Sequence, residues 1–268
     1  MHLKKLSIGV FDSGMGGLTV LKALKAHLPH ENFVYLGDTA RLPYGTKSSD
    51  TVKQYATQMA KILITKKIKA LVIACNTATT AALEHLQSIY PNLPVIGVVA
   101  PGALAATAAS TNNKILVMAT ETTIASEAYH QAILNLKPNA TVYSQACSLL
   151  VALAEEGMIN SDLARLALQH YIPCNVSYDT ILLGCTHFPV FKPLIAELFP
   201  QVKIVDSATA TAATLKEILL SHRLLNDSPA ASHYLVTDAI NRFCRIGEIF
   251  LGERIPASAV TLIDAQTT

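Results

Sequence analysis

A chain of 268 residues is long enough to bury a large core, and at roughly 150 residues per domain two modest domains are expected in preference to one large one. Hydrophobic residues make up 51% and charged ones only 15%, a balance suited to an α/β protein whose central strands are covered on both faces. A formal net charge of +2 without any long run of lysine or arginine excludes the electrostatic footprint of a nucleic-acid binder or a basic membrane-surface helix. The expected ligand is a small molecule.

The N-terminal Met1-His2-Leu3-Lys4-Lys5 is positively charged, but the apolar run that follows is short, contains Asp12 and lacks a small-residue cleavage pattern, so no export is expected. Ile8 to Phe11 reads as a strand and runs into Asp12-Ser13-Gly14-Met15-Gly16-Gly17. That loop could cradle a carboxylate or phosphate, or could simply be a tight turn. It matches neither GxGxxG nor the Walker pattern, which leaves a nucleotide little support. A second strand, Phe33 to Leu36, leads to Gly37-Asp38-Thr39-Ala40-Arg41-Leu42-Pro43-Tyr44-Gly45; the alternative to a functional loop there is a surface turn with a local Asp38–Arg41 ion pair. From Ser48 to Lys66 the apolar residues Val52, Tyr55, Met59, Ile62 and Leu63 recur at helical spacing and should cover a sheet.

Ala70 to Ala74 forms the next apolar run and ends on Cys75-Asn76-Thr77. The stretch from Leu86 to Asn113 carries no charge, but Pro91, Pro94, Gly97, Pro101 and Gly102 interrupt it within one bilayer length, so it reads as buried strand and loop rather than a membrane span. Further runs stand at Val95 to Val99, Ile115 to Met118, Thr141 to Tyr143, Ile181 to Leu183, Val202 to Val205, Tyr234 to Val236 and Val260 to Ile263. Strands alternating with helical patterns imply βαβ units and parallel sheets.

One internal echo stands out. Leu71 to Thr77 and Thr180 to His187 share an order of apolar strand, small residue, cysteine and polar residues, so a cysteine ends a strand in each half, ahead of a helix whose N-terminus would favour the thiolate. A lone cysteine after an apolar strand is usually inert and buried; two in corresponding positions suggest more. Cys147, Cys174 and Cys244 lack such a match and read as packing or surface residues. Five cysteines without a CxxC pair indicate neither a disulfide framework nor a zinc site of ordinary spacing, which fits the cytoplasm. His187 could orient or protonate Cys185, or could cap a helix; Asp12 could do the same for Cys75 if the first and third strands are neighbours. Two thiols facing across a cleft suit proton removal from one face of a carbon and delivery to the other, with Ser13, Thr77 and Thr186 as candidate donors to the developing charge.

Phe11 to Val20, Tyr35 to Gly45, Ala74 to Ala78 and Leu183 to Pro189 together resemble the glutamate racemases. Weaker likeness at Ile96 to Gly102, Thr120 to Thr123, Leu153 to Gly157 and Asp206 to Ala208 extends the resemblance from about residue 8 to residue 214. It implies two pseudo-symmetric α/β domains with largely parallel sheets, residues 1–97 plus 209–268 and residues 98–208, and an active site in the cleft between them. It implies glutamate as substrate without pyridoxal phosphate or metal, D-glutamate supplied to peptidoglycan, and Cys75 acting on the D-enantiomer while Cys185 acts on the L-enantiomer. Asp12 and His187 would assist the cysteines. Ser13, Pro43, Tyr44, Gly45, Asn76, Thr77, Thr123 and Thr186, with Asp12 and His187, would bind substrate, and Asp38 and Glu155 would be secondary acids. A homodimer is the default, and some members of the family answer to a cell-wall precursor. Thr79, and Ala146 to Ala152, depart from the family pattern without touching the cysteines.

Three other readings remain at this stage. A related racemase could use the same thiols on aspartate or a hydantoin. A cysteine hydrolase would leave one thiol without a purpose. A two-lobed sensor would close on an amino acid without exchanging its α-proton.

Overall fold

The computed structural model describes residues 3–173, 176–227 and 230–265. Its strands, in chain order, are β1 (Ser7–Asp12), β2 (Phe33–Gly37), β3 (Ile68–Ile73), β4 (Val95–Gly97), β5 (Lys114–Ala119), β6 (Thr141–Ala146), β7 (Thr180–Gly184), β8 (Lys203–Asp206), β9 (Ser232–Val236) and β10 (Val260–Leu262). They form a six-stranded sheet ordered β10-β9-β2-β1-β3-β4 and a four-stranded sheet ordered β6-β5-β7-β8. Every strand pair in both is parallel, as alternating strands and helices require when each crossover returns the chain to the same end.

The central strands are buried along almost their whole length, which explains why they read as continuous apolar runs instead of alternating ones. The helix Ser49–Thr65 follows its expected pattern. The Ser48 side chain accepts the Thr51 N–H at its start, and Val52, Met59, Ile62 and Leu63 are buried. One buried cluster runs through both halves, from Leu18 and Leu21 through Leu215 and Leu219 to Leu116 and Phe188.

The stretch from Leu86 to Asn113 differs from its expected strand and loop. After β4 it forms the helix Val99–Ala109. Pro101 and Gly102 do not break that helix because Pro101 stands in its first turn, where a missing N–H removes no intrahelical bond. No helix among the described residues is long and apolar enough to cross a membrane. Cys174 lies outside the described residues.

The two sheets repeat one arrangement. In each, the chain passes from a central strand to one neighbour and then to the other side, β1 flanked by β2 and β3, and β5 flanked by β6 and β7. The crevice opened at the carboxyl ends by that reversal is where ligands bind in open α/β sheets.

Candidate active site

Asp12 is the last residue of β1, and Cys75 stands just beyond β3. Because β1 and β3 are parallel neighbours, with Phe11 opposite Ile73 and Ala74 N–H bonded to Phe11 O at 2.9 Å, the two side chains share one strand end. Asp12 is fully buried. Its Oδ2 accepts the Gly14 N–H at 2.9 Å and its Oδ1 the Thr186 hydroxyl at 3.2 Å. Burial raises its carboxyl pKa, against the charge of His187 and the N–H groups of Gly17 and Gly14.

Cys75 caps the helix Asn76–Ile89. Its Sγ accepts the Ala78 N–H at 3.4 Å and donates to Ser13 Oγ at 3.7 Å. The expected thiolate does not follow. Burial foremost, together with the Asp12 charge, pushes the thiol up to about 12, because one helix N–H cannot compensate for the lost hydration of a sulfur anion.

Cys185 follows β7, but it caps no α-helix. Thr186 and His187 lead instead into a 3-10 turn, Phe188–Phe191, and only then into the helix Lys192–Leu198. Its neighbour is His187, whose Nδ1 lies 3.8 Å from Cys185 Sγ and whose Nε2 lies 2.6 Å from Glu155 Oε1. Burial works against the imidazolium. The bonds and charges of Cys185 and Glu155 outweigh it and hold the His187 pKa well above its ordinary range.

The two strand ends meet because Gly16 has no side chain. A Cβ there would lie 2.4 Å from His187 Nδ1 and 2.6 Å from Thr186 Oγ1. Thr19 adds a bond from its hydroxyl to Thr186 O at 3.0 Å. Ser13, Pro43, Tyr44, Gly45, Asn76 and Thr77 line one cavity together with Cys75, Cys185, Thr186 and His187. Its volume of about 20 Å³ holds about one water molecule, less than an amino acid needs.

Four expected residues stand behind the cavity wall, the fully buried Asp12 among them. Thr123 is buried and bonds Thr77 at 3.1 Å. Glu155 touches the site through His187. Asp38 is buried beneath Tyr44, whose hydroxyl donates to Asp38 Oδ2, and it also accepts Arg41 Nε at 2.7 Å and the Thr237 hydroxyl at 3.0 Å. The Asp38–Arg41 ion pair is therefore present, but it forms under the loop and not on an exposed surface turn.

Residues 18–215 match the model of the Asp/Glu/Hydantoin racemase family. The chain belongs to that family. It is 45% identical to the glutamate racemase of Geobacter metallireducens over 93% of this chain and 94% of that one. Its structure resembles the Francisella tularensis glutamate racemase in complex with D-glutamate, with a TM-score of 0.92 and 36% identity across 99% of this chain and 100% of that one. It also resembles Escherichia coli glutamate racemase in complex with L-glutamate and the activator UDP-MurNAc-ala, with a TM-score of 0.77 and 25% identity across 92% and 95% of the two chains.

This racemase also recruits residues that sequence reasoning passed over. Thr120 and Val151 line the cavity, and the Thr120 hydroxyl lies 2.9 Å from that of Thr77 and 3.0 Å from that of Thr123. Thr120 follows β5 as Cys75 follows β3, and that strand-end position was the available signal. Val151 offered none, since an apolar residue in the helix Ser148–Glu155 reads as core. Thr79, a departure from the family pattern, bonds Cys75 O at 2.9 Å from behind. Cys147 is buried and Cys244 half-buried; neither lines the cavity.

Proposed function

We propose that this racemase interconverts L- and D-glutamate with Cys75 and Cys185 as its two acid–base groups, independently of any cofactor, and that its D-glutamate serves peptidoglycan synthesis. The main support is that two cysteines, from corresponding strand ends of two sheets, line one cavity, each beside its own buried partner. The glutamate complexes of the similar enzymes support the choice of substrate. In this reading residues 1–97 with 209–268 form one lobe and 98–208 the other.

With D-glutamate, the Asp12 carboxylate accepts the Cys75 thiol proton and the Cys75 thiolate removes the α-proton. The electron pair of the broken C–H bond delocalises into the substrate carboxylate. The Cys185 thiol then protonates the opposite face, and His187 returns a proton to Cys185. The reverse sequence serves L-glutamate. An α-proton beside a carboxylate is very weakly acidic, so a thiol pushed up to about 12 yields a stronger base than an ordinary one. The hydroxyls and N–H groups of Ser13, Asn76, Thr77 and Thr186 stabilise the charge in a site that excludes water.

Metal-free, cofactor-free protein incubated with L-glutamate in deuterated water should lose optical rotation and take up α-deuterium. Cys75→Ala and Cys185→Ala should each lower racemisation by at least about 10³-fold with folding retained. Full activity in either variant would remove the two-thiol mechanism. Racemisation of aspartate or a hydantoin in place of glutamate would select the rival substrates.

A further inference from the structure

Asn76 lines the cavity, yet its Nδ2 is buried with no hydrogen-bond partner. Its Oδ1 is taken by the Tyr129 hydroxyl at 2.6 Å. Tyr129 belongs to the helix Ala128–Leu136 beside the four-stranded sheet, so this bond reaches across to the strand end that carries Cys75. The phenol O–H donates to Asn76 Oδ1, so the accepting end of the amide is occupied. Two glycines make room for the ring. A Cβ on Gly184, the residue before Cys185, would lie 2.8 Å from Tyr129 Cε2, and one on Gly102 would lie 3.1 Å from the phenol oxygen.

We propose that Tyr129 is a positioning residue that locks the Asn76 amide with its NH₂ towards the cavity, where it receives a carboxylate oxygen of the substrate. An amide has one accepting and one donating end. With the accepting end committed to a phenol O–H, only the donor faces the ligand. Without the phenol, the amide turns over freely and can present an oxygen that repels the carboxylate. The Tyr129 ring rests against the strand end that carries Cys185, and its hydroxyl holds Asn76 beside Cys75. The proposal rests on an acidic amino acid being the substrate.

Tyr129→Phe removes only the hydroxyl. For both glutamate enantiomers we expect KM to rise about tenfold with kcat changed less than about threefold, and Tyr129→Phe to add no further rise in an Asn76→Ala background. An unchanged KM, or equal losses with and without Asn76, would overturn the assignment. If Tyr129→Phe does not fold, Asn76→Asp keeps the oxygen that Tyr129 holds but removes the donating end, and should raise KM at least about tenfold; an unchanged KM would count against the amide as the carboxylate's donor. Wild-type protein inactive on glutamate would refute the proposed function alone, and the same cycle would be run on the acidic amino acid that it does racemise.

Discussion

At the residue scale, the two thiols differ in their surroundings. Cys75 sits beside the carboxylate of Asp12, and burial makes it a thiol, whereas Cys185 faces an imidazole whose far nitrogen is held by Glu155. The His187 pKa is raised above its unfolded value of about 6.5. Stability from its charged pairing is therefore fully present below that pH and is lost as pH rises through the folded-state value. Glu155→Gln removes one of the groups that favour the imidazolium. Denaturant titrations should show the gap between wild type and variant widest near pH 6 and narrowing in alkali. The alkaline limb of kcat for D-glutamate, where the proposed mechanism has His187 reprotonate Cys185, should move to lower pH in the variant.

At the scale of elements, the halves are joined at the mouth of the cleft by the short helix Glu121–Ala125. From it the Thr122 hydroxyl meets Gly45 O at 2.9 Å and Lys47 O at 3.1 Å. Outside this contact lies a groove of about 480 Å³ lined by Thr46, Lys47, Ser48, Thr80 and Thr122; inside it lies a cavity far too small for an amino acid. A hydroxyl bond contributes about 1 kcal/mol net, so its loss should favour opening about fivefold. Thr122→Val should accelerate iodoacetamide labelling of Cys75 and Cys185 in the free protein about fivefold, with Thr122→Ser restoring the slow rate. Equal labelling rates in all three proteins would show that the mouth is held elsewhere.

Across the whole molecule, the returning C-terminal chain is anchored far from the chemistry. Near the amino ends of the strands, Lys69 and Glu31 form an ion pair with both side chains almost completely buried. Lys69 Nζ also donates to Leu224 O at 2.9 Å, and Glu31 Oε1 accepts the Asn226 N–H at 2.8 Å. The segment leading into β9 is thereby fastened to the six-stranded sheet. Glu31→Gln leaves a buried ammonium without its counter-charge and should cost about 3 kcal/mol in urea unfolding. Because the pair lies at the opposite ends of the strands from the cleft, kcat/KM of the folded variant should match wild type.

The sequence by itself determined the ten strands among the described residues: the central ones, buried on both faces, must be written as unbroken apolar runs, and the less buried β6, β8 and β10 show as short β-branched runs between helical patterns. It also determined most of the cavity wall, because in a parallel sheet polar residues directly after such runs collect at one end. Cys75, Cys185 and Thr186 were legible for that reason. Tertiary structure alone decided the rest. Whether Pro101 breaks a helix depends on the turn it occupies, and the state of the Cys75 thiol depends on how completely the second half covers it. The placing of Val151 in the wall, the bond of Thr122 across the mouth and the reach of Tyr129 to Asn76 join residues far apart in the chain. Each is set by the way two sheets pack against each other, an arrangement that no local pattern records.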